Sequence, residues 1–250
     1  LPRRIESWQI TGGGGGPAGR GDPFGTSVQE ARVQRREALG WLACGAGLGG
    51  LALVAAPARA GGLARLQLAD AVPPPELRPD DITLGKDDAP VTVIEYASLT
   101  CPHCAHFATT TFPKVKSDLI DTGKVRWVYR PFPLNQIDVK AFALASCLPR
   151  EQFYTVVDVL YQSQNEWLGA QDPVKALQQI GRTAGLDQAS IDKCMSDKTF
   201  VDKLVAGIQD AEQKYKVEST PTFIIGGKAY PGAMEYDAFY NLIKDQLPKS

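Results

Sequence analysis

The tightest constraint on this chain is an apolar run, Val91 to Ala97, that leads within four residues into Cys101-Pro102-His103-Cys104 and a helix-like stretch. Seven residues rich in β-branched side chains, apolar on both alternating faces, read as a central strand buried on both sides. A cysteine pair at a strand-to-helix junction is placed for redox chemistry. The first turn of a helix offers unpaired backbone N–H groups and the positive end of the macrodipole. Both favour S⁻ over SH, so Cys101 is expected to have a lowered pKa and to leave readily from a disulfide. Pro102 suits the first helical turn, where a missing N–H costs nothing. His103, protonated or donating from its ring, is expected to stabilise the neighbouring thiolate further.

Three other uses of such a pair stand beside the redox one. Zinc needs about four ligands. The remaining cysteines are isolated, and the only other histidine is His106, whose spacing from His103 fits an exposed helix face. A c-type haem needs His directly after the second Cys, and residue 105 is Ala. A structural disulfide could use the spacing, although the loop it closes is too short to stabilise much. Redox use is favoured, a structural bridge stays open, and no metal or cofactor is expected.

The run Ala89-Pro90-Val91-Thr92-Val93-Ile94-Glu95-Tyr96 with Cys-Pro-His-Cys, followed by Phe132-Pro133-Leu134 and Thr220-Pro221-Thr222-Phe223, resembles the DsbA family of thiol:disulfide oxidoreductases. The resemblance covers residues 80–250 and implies an α/β thioredoxin-like fold with an inserted α-helical domain. It implies that Cys101 and Cys104 are the redox pair and that Glu95 is a buried acid assisting proton movement to Cys104. The alternative for Glu95 is a carboxylate that reaches solvent at the strand end. Pro221 becomes the cis-proline facing the cysteines, with Thr220 offering its backbone to a substrate segment and Pro102 on the same binding surface. Some relatives carry a second bridge in the helical block, which Cys147 and Cys194 could form here. They could equally be two buried thiols acting as small hydrophobes. Implied partners are reduced exported proteins as substrates and a DsbB-like, quinone-linked membrane oxidase, with the chain acting as a monomer. A reductase or isomerase on the same fold, and a non-enzymatic periplasmic binder or holdase, remain alternatives.

The rest of the chain fits around that core. Residues 1–33, which begin with Leu rather than Met as in a misplaced start or a fragment, hold five consecutive glycines and no apolar periodicity. Arg35-Arg36 precedes an apolar stretch from Leu39 to Ala56 and a small-x-small site at Ala58-Arg59-Ala60. That is the build of an export signal with a twin-arginine-like start, cleaved after Ala60, and it places the mature protein in the periplasm. The first 60 residues carry seven Arg against four acidic residues, although the whole chain is at −1. The remainder is therefore slightly acidic, with no basic patch to bind nucleic acid.

Residues 61–80 read as a proline-rich linker. A first core piece spans residues 81–134, with strands at 81–85, 91–97 and 124–130. Helical periodicity takes over across 135–214, with Asp172-Pro173 as one helix start and Phe200 to Ile208 in a long last helix. The second core piece, 215–250, holds a strand at 222–225, a Gly226-Gly227 hairpin into residues 228–230, and a helix over 234–247.

Overall fold

The computed structural model describes residues 70–248, so the expectation of an export signal at residues 35–60 and the linker stretch 61–69 lie outside the described residues. A six-stranded sheet runs in the order β1 (Asp70–Ala71), β6 (Lys228–Pro231), β5 (Thr222–Ile225), β3 (Val91–Ala97), β4 (Val125–Pro131), β2 (Ile82–Leu84). The apolar run is β3, in the interior of the sheet as its two-faced pattern requires. Val91 and Val93 pack with Trp127 and Phe223 on one face. Ile94 and Tyr96 pack with Val128 and Ile224 on the other.

Strand β3 pairs in parallel with β4, from Val91 opposite Val125 to Ala97 opposite Pro131, and all other pairs are antiparallel. A parallel pair needs a crossover. It is supplied by α1 (Pro102–His106), a π turn at Phe107–Thr111, α2 (Phe112–Val115) and a second π turn at Lys116–Ile120. Pro113 has no N–H to return to the preceding turn, and the helical ladder widens just before it, with Phe112 N–H donating to Phe107 O.

Between β4 and β5 comes the helical block: α3 (Gln136–Cys147), α4 (Phe153–Gln162), α5 (Gln164–Leu168), α6 (Pro173–Thr183), α7 (Gln188–Met195) and α8 (Lys198–Tyr215). Acidic and amide side chains start α3, α6, α7 and α8. Asn135 accepts from Asp138 N–H at 3.0 Å, Asp172 from Lys175 N–H at 3.1 Å and Asp187 from Ser190 N–H at 2.8 Å. The β5–β6 hairpin turns on Gly226 and Gly227, at φ +55° and +74°, values that a side chain would strain. Helix α9 (Tyr236–Lys244) closes the sheet through Phe239 and Ile243.

The structure amends several sequence expectations. Residues 70 and 71, read as linker, pair with β6 at the sheet edge. The stretch after them is also tied down. Arg130 and Asp81 form a buried two-point ion pair at 2.8 Å, and the same guanidinium donates to Glu76 O at 2.6 Å and Tyr96 OH at 2.8 Å. The first core strand is three residues long, and the last helix begins only at Tyr236 because Glu235 keeps an extended backbone.

Cys147, at the end of α3, is disulfide-bonded to Cys194 in α7, with Cα atoms 5.9 Å apart. The bridge spans 47 residues of chain. Replacing both cysteines with Ala is expected to cost about 2–4 kcal/mol of stability, read as a lower urea midpoint, with the Cys101 titration unchanged. An unaltered midpoint would show that the bridge constrains nothing.

Candidate active site

Strand β3 ends at Ala97, and residues 98–100 turn the chain so that Cys101 becomes the N-cap of α1, with φ −82° and ψ 122°. Pro102 occupies the first helical turn and is exposed, as is His103. Cys101 and Cys104 are free thiols, 6% and 0% exposed. The Cys101 thiol donates to Thr220 O at 3.3 Å, and the Thr220–Pro221 bond is cis. The structure thus brings Cys101, Cys104, Thr220 and Pro221 into one place from chain segments about 120 residues apart.

The Cys101 pKa is held down to about 5. Hydrogen bonding from the Cys104 thiol contributes most, against burial, which pushes the other way. The Thr220 hydroxyl and the backbone N–H groups of Cys104 and His103 add to the lowering. That hydroxyl is buried and makes no hydrogen bond while Cys101 is a neutral thiol, so it is free to turn toward a thiolate. Cys104 is shifted strongly the opposite way, first by burial and then by the hydrogen bond and charge of Cys101. One sulfur is an anion at neutral pH and its neighbour stays protonated.

His103 acts differently from the expectation. Its ring is exposed and makes no hydrogen bond to the sulfur; its backbone N–H is the group that bears on Cys101. Any residue other than proline could supply that. His106 is exposed too, its Nε2 3.8 Å from Glu235 Oε1.

Glu95 is 4% exposed. Burial raises its carboxyl to about 8, opposed only by Trp127, whose indole Nε1 has no partner of good hydrogen-bond geometry. It therefore stays inside the fold instead of escaping to solvent at the strand end. It borders a cavity of about 460 Å³ that also meets Phe107, Tyr129, Tyr154 and Tyr161 and reaches exposed Lys116 and Asp158. Its charge is among the influences that raise Cys104. A neutral carboxylic acid with access to solvent can exchange a proton there.

Sequence reasoning missed a second buried acid. Asp138, in the first turn of α3 and 0% exposed, accepts from Leu99 N–H at 2.9 Å, Ser98 OH at 2.6 Å and Leu134 N–H at 3.0 Å. Burial pushes its pKa up to about 6 against those bonds. An acid in the first turn of a helix has an ordinary reading as a dipole partner, so nothing flagged it. Among the described residues no cluster of His, Cys, Asp and Glu has the makings of a metal site.

A family model described as thioredoxin matches residues 77–245. The crystal structure of Wolbachia pipientis alpha-DsbA1 superposes with a TM-score of 0.64 at 33% identity, covering 68% of this chain and 92% of that one. A Rickettsia bellii protein carrying the provisional name protein-disulfide oxidoreductase is 33% identical over 59% of this chain, and the match spans 58% of the relative's own length. Disulfide bond formation protein D of Bacillus subtilis is 28% identical over 66% of this chain and 76% of its own. The sheet, crossover helix and helical block described above are thus a thioredoxin-like fold of the kind seen in DsbA structures.

The thiolate links redox state to pH with a definite sign. A folded-state pKa of about 5 for Cys101, against about 8.5 unfolded, gives the reduced protein stability that is complete above pH 8.5 and is lost as pH falls through 5. At pH 7 two units of that shift apply, about 3 kcal/mol. Glu95 has the opposite slope, but it is present in both redox forms and largely cancels in their difference. The stability of the reduced form relative to the oxidised form should therefore drop by most of that amount between pH 7 and pH 5, measured by chemical unfolding of each. A difference independent of pH would mean that Cys101 is an ordinary thiol.

Proposed function

Because the chain belongs to the thioredoxin family, and within it to the DsbA proteins, we propose that it is a thiol:disulfide oxidoreductase that donates disulfides to exported proteins in the periplasm. The observation that carries this reading is the asymmetry of the pair, an acidified Cys101 beside a buried Cys104 whose pKa is raised. An asymmetric dithiol favours the reduced state of the enzyme, because reduction releases a stabilised thiolate. Such a disulfide takes electrons from substrates.

The reaction runs in two exchanges. A substrate thiolate attacks Cys101 Sγ of the enzyme disulfide, forming a mixed disulfide and breaking the bond to Cys104. Cys104 leaves as a thiolate, and its raised pKa makes it take up a proton; Glu95, neutral at pH 7 and beside the cavity, is the donor we assign. A second substrate thiolate then attacks the substrate sulfur of the mixed disulfide and expels Cys101 as a thiolate. Two electrons pass from substrate to enzyme, and the substrate leaves with its disulfide.

Attack falls on Cys101 because Cys104 has no exposed surface. Thr220, whose carbonyl already faces the Cys101 sulfur, and Pro221 and Pro102 line the place where a substrate segment would lie. Pairing through backbone groups suits a catalyst that must accept many sequences. The reduced enzyme must then be reoxidised, and a DsbB-like, quinone-linked membrane oxidase is the proposed partner. The sequence of residues 35–60 supports export to the compartment where such chemistry persists.

Cys104→Ser should accumulate mixed disulfides with exported proteins on non-reducing gels, since nothing within the enzyme can then resolve the bond to Cys101. Cys101→Ser should accumulate none. Equal trapping by the two variants would contradict the assignment of roles, and turnover by a double variant would remove the redox reading altogether.

A further inference from the structure

The turn that carries Cys101 has almost no regular secondary structure to satisfy it. Ser98 and Leu99 are 0% exposed, so their backbone groups need partners inside the protein. Apart from the Cys101 N–H, which donates to Ser98 O at 3.3 Å, those partners are side chains of the helical block, which lies 35 to 66 residues further along the chain. Tyr161 of α4 donates to Ser98 O at 3.2 Å, and its oxygen lies 2.7 Å from Tyr129 OH. Asp138 of α3 takes the Leu99 N–H. Asn135, which caps α3, donates to Thr100 Oγ1 at 3.0 Å.

The connection that touches the reacting residue itself is made by Gln164 of α5. It is 5% exposed, and its Nε2 donates to Leu99 O at 2.8 Å and to Cys101 O at 3.1 Å. Both partners are carbonyls, so only the NH2 end of the amide can face them. Its orientation follows from chemistry. Cys101 O also accepts the first hydrogen bond of α1, from Ala105 N–H at 3.1 Å.

We propose that Gln164 is a positioning residue for the dithiol: by bonding the carbonyls of Leu99 and Cys101 with one amide, it holds the N-cap turn in the geometry that aims the Cys101 sulfur at the N–H groups of the helix start. The proposal rests on the redox reading above and deepens it, because it makes the helical block part of what tunes the cysteine. Leu99 O has no other hydrogen-bond donor. Without Gln164 that buried carbonyl must move to find one, and the residue two positions on is Cys101. The same amide also draws electron density from the Cys101 carbonyl, next to the sulfur that becomes negative. Both effects favour the thiolate.

Gln164 carries no charge, so replacing it changes hydrogen bonding without placing or removing a charge near the sulfur. Two variants of the full chain separate positioning from support of the fold. Gln164→Met keeps the length and removes the donor. Gln164→Asn keeps the donor and the polarity but falls a methylene short of both carbonyls, and it gives the same readout where the Met variant does not fold. Thiolate absorbance against pH gives the Cys101 pKa, and glutathione equilibria give the potential. The expected result is a rise of about one unit from the value near 5, a tenfold loss of thiolate acidity. The same tenfold in the glutathione equilibrium is about 30 mV toward the reducing side.

Lower melting temperatures with unchanged pKa and potential would overturn the proposal, since a residue that only supports the fold moves stability alone. No change in any of the three would overturn it too. The titration does not depend on turnover. Dithiol oxidation by the wild-type chain, run in parallel, therefore tests the functional reading separately.

Discussion

Everything distinctive in this structure depends on the negative charge that Cys101 carries at the start of α1. A thiolate in a mostly buried position is unfavourable unless donors surround it. Here the donors are the Cys104 thiol, the Thr220 hydroxyl and two backbone N–H groups of the first helical turn. Three of these four come with the Cys-X-X-Cys spacing itself, because a helix that begins at the first cysteine must present its free N–H groups there. The fourth comes from the far end of the chain, delivered by β5 as it pairs with β3.

The arrangement of acids follows from the same sheet. Along β3, Glu95 shares a face with Val91 and Val93, the face covered by the crossover helix, and so it is buried where its neutral form is favoured. Cys104 lies beneath Cys101 on the inner side of α1, where burial keeps it protonated. A proton therefore has to follow Cys104 into the core at each reduction and leave at each oxidation. In the proposed reaction that exchange takes place at the cavity beside Glu95, without exposing the second sulfur. The helical block covers this region through Tyr154 and Tyr161 and braces the turn before Cys101 through Asp138 and Gln164. Inserting helices between β4 and β5 changes the surroundings of the dithiol without altering the strand order that creates it.

Much of this was legible in the sequence because it rests on local rules. Val91–Ala97 and Thr222–Ile225 are apolar runs bounded by turn-forming residues, and both strands have the limits expected of them. Asp172-Pro173 marked a helix start by cap chemistry alone. Glu95 stood out because a carboxylate inside an apolar strand has no cheap explanation. What stayed hidden was long-range. Asp70–Ala71 is two residues long and shows no period. Asp138 and Gln164 sit where acids and amides are common on helices, and only their distance from solvent reveals their role. The contribution of position 103 was placed in its side chain, whereas the structure puts it in the backbone, which has no letter in a sequence.

In the proposed reaction, stabilisation of the Cys101 thiolate is what makes the Cys101–Cys104 disulfide an oxidant. That link is tested most directly by the reduction potential of that pair at pH 7, from equilibration with glutathione. Thioredoxin, with a first-cysteine pKa of about 7, lies at about −270 mV. A Cys101 value of about 5 is two units lower, and at about 30 mV per unit for a two-electron couple it predicts a potential near −210 mV or higher. A value at or below about −270 mV would contradict the account, because the charge on Cys101 would then contribute nothing to the direction of electron flow.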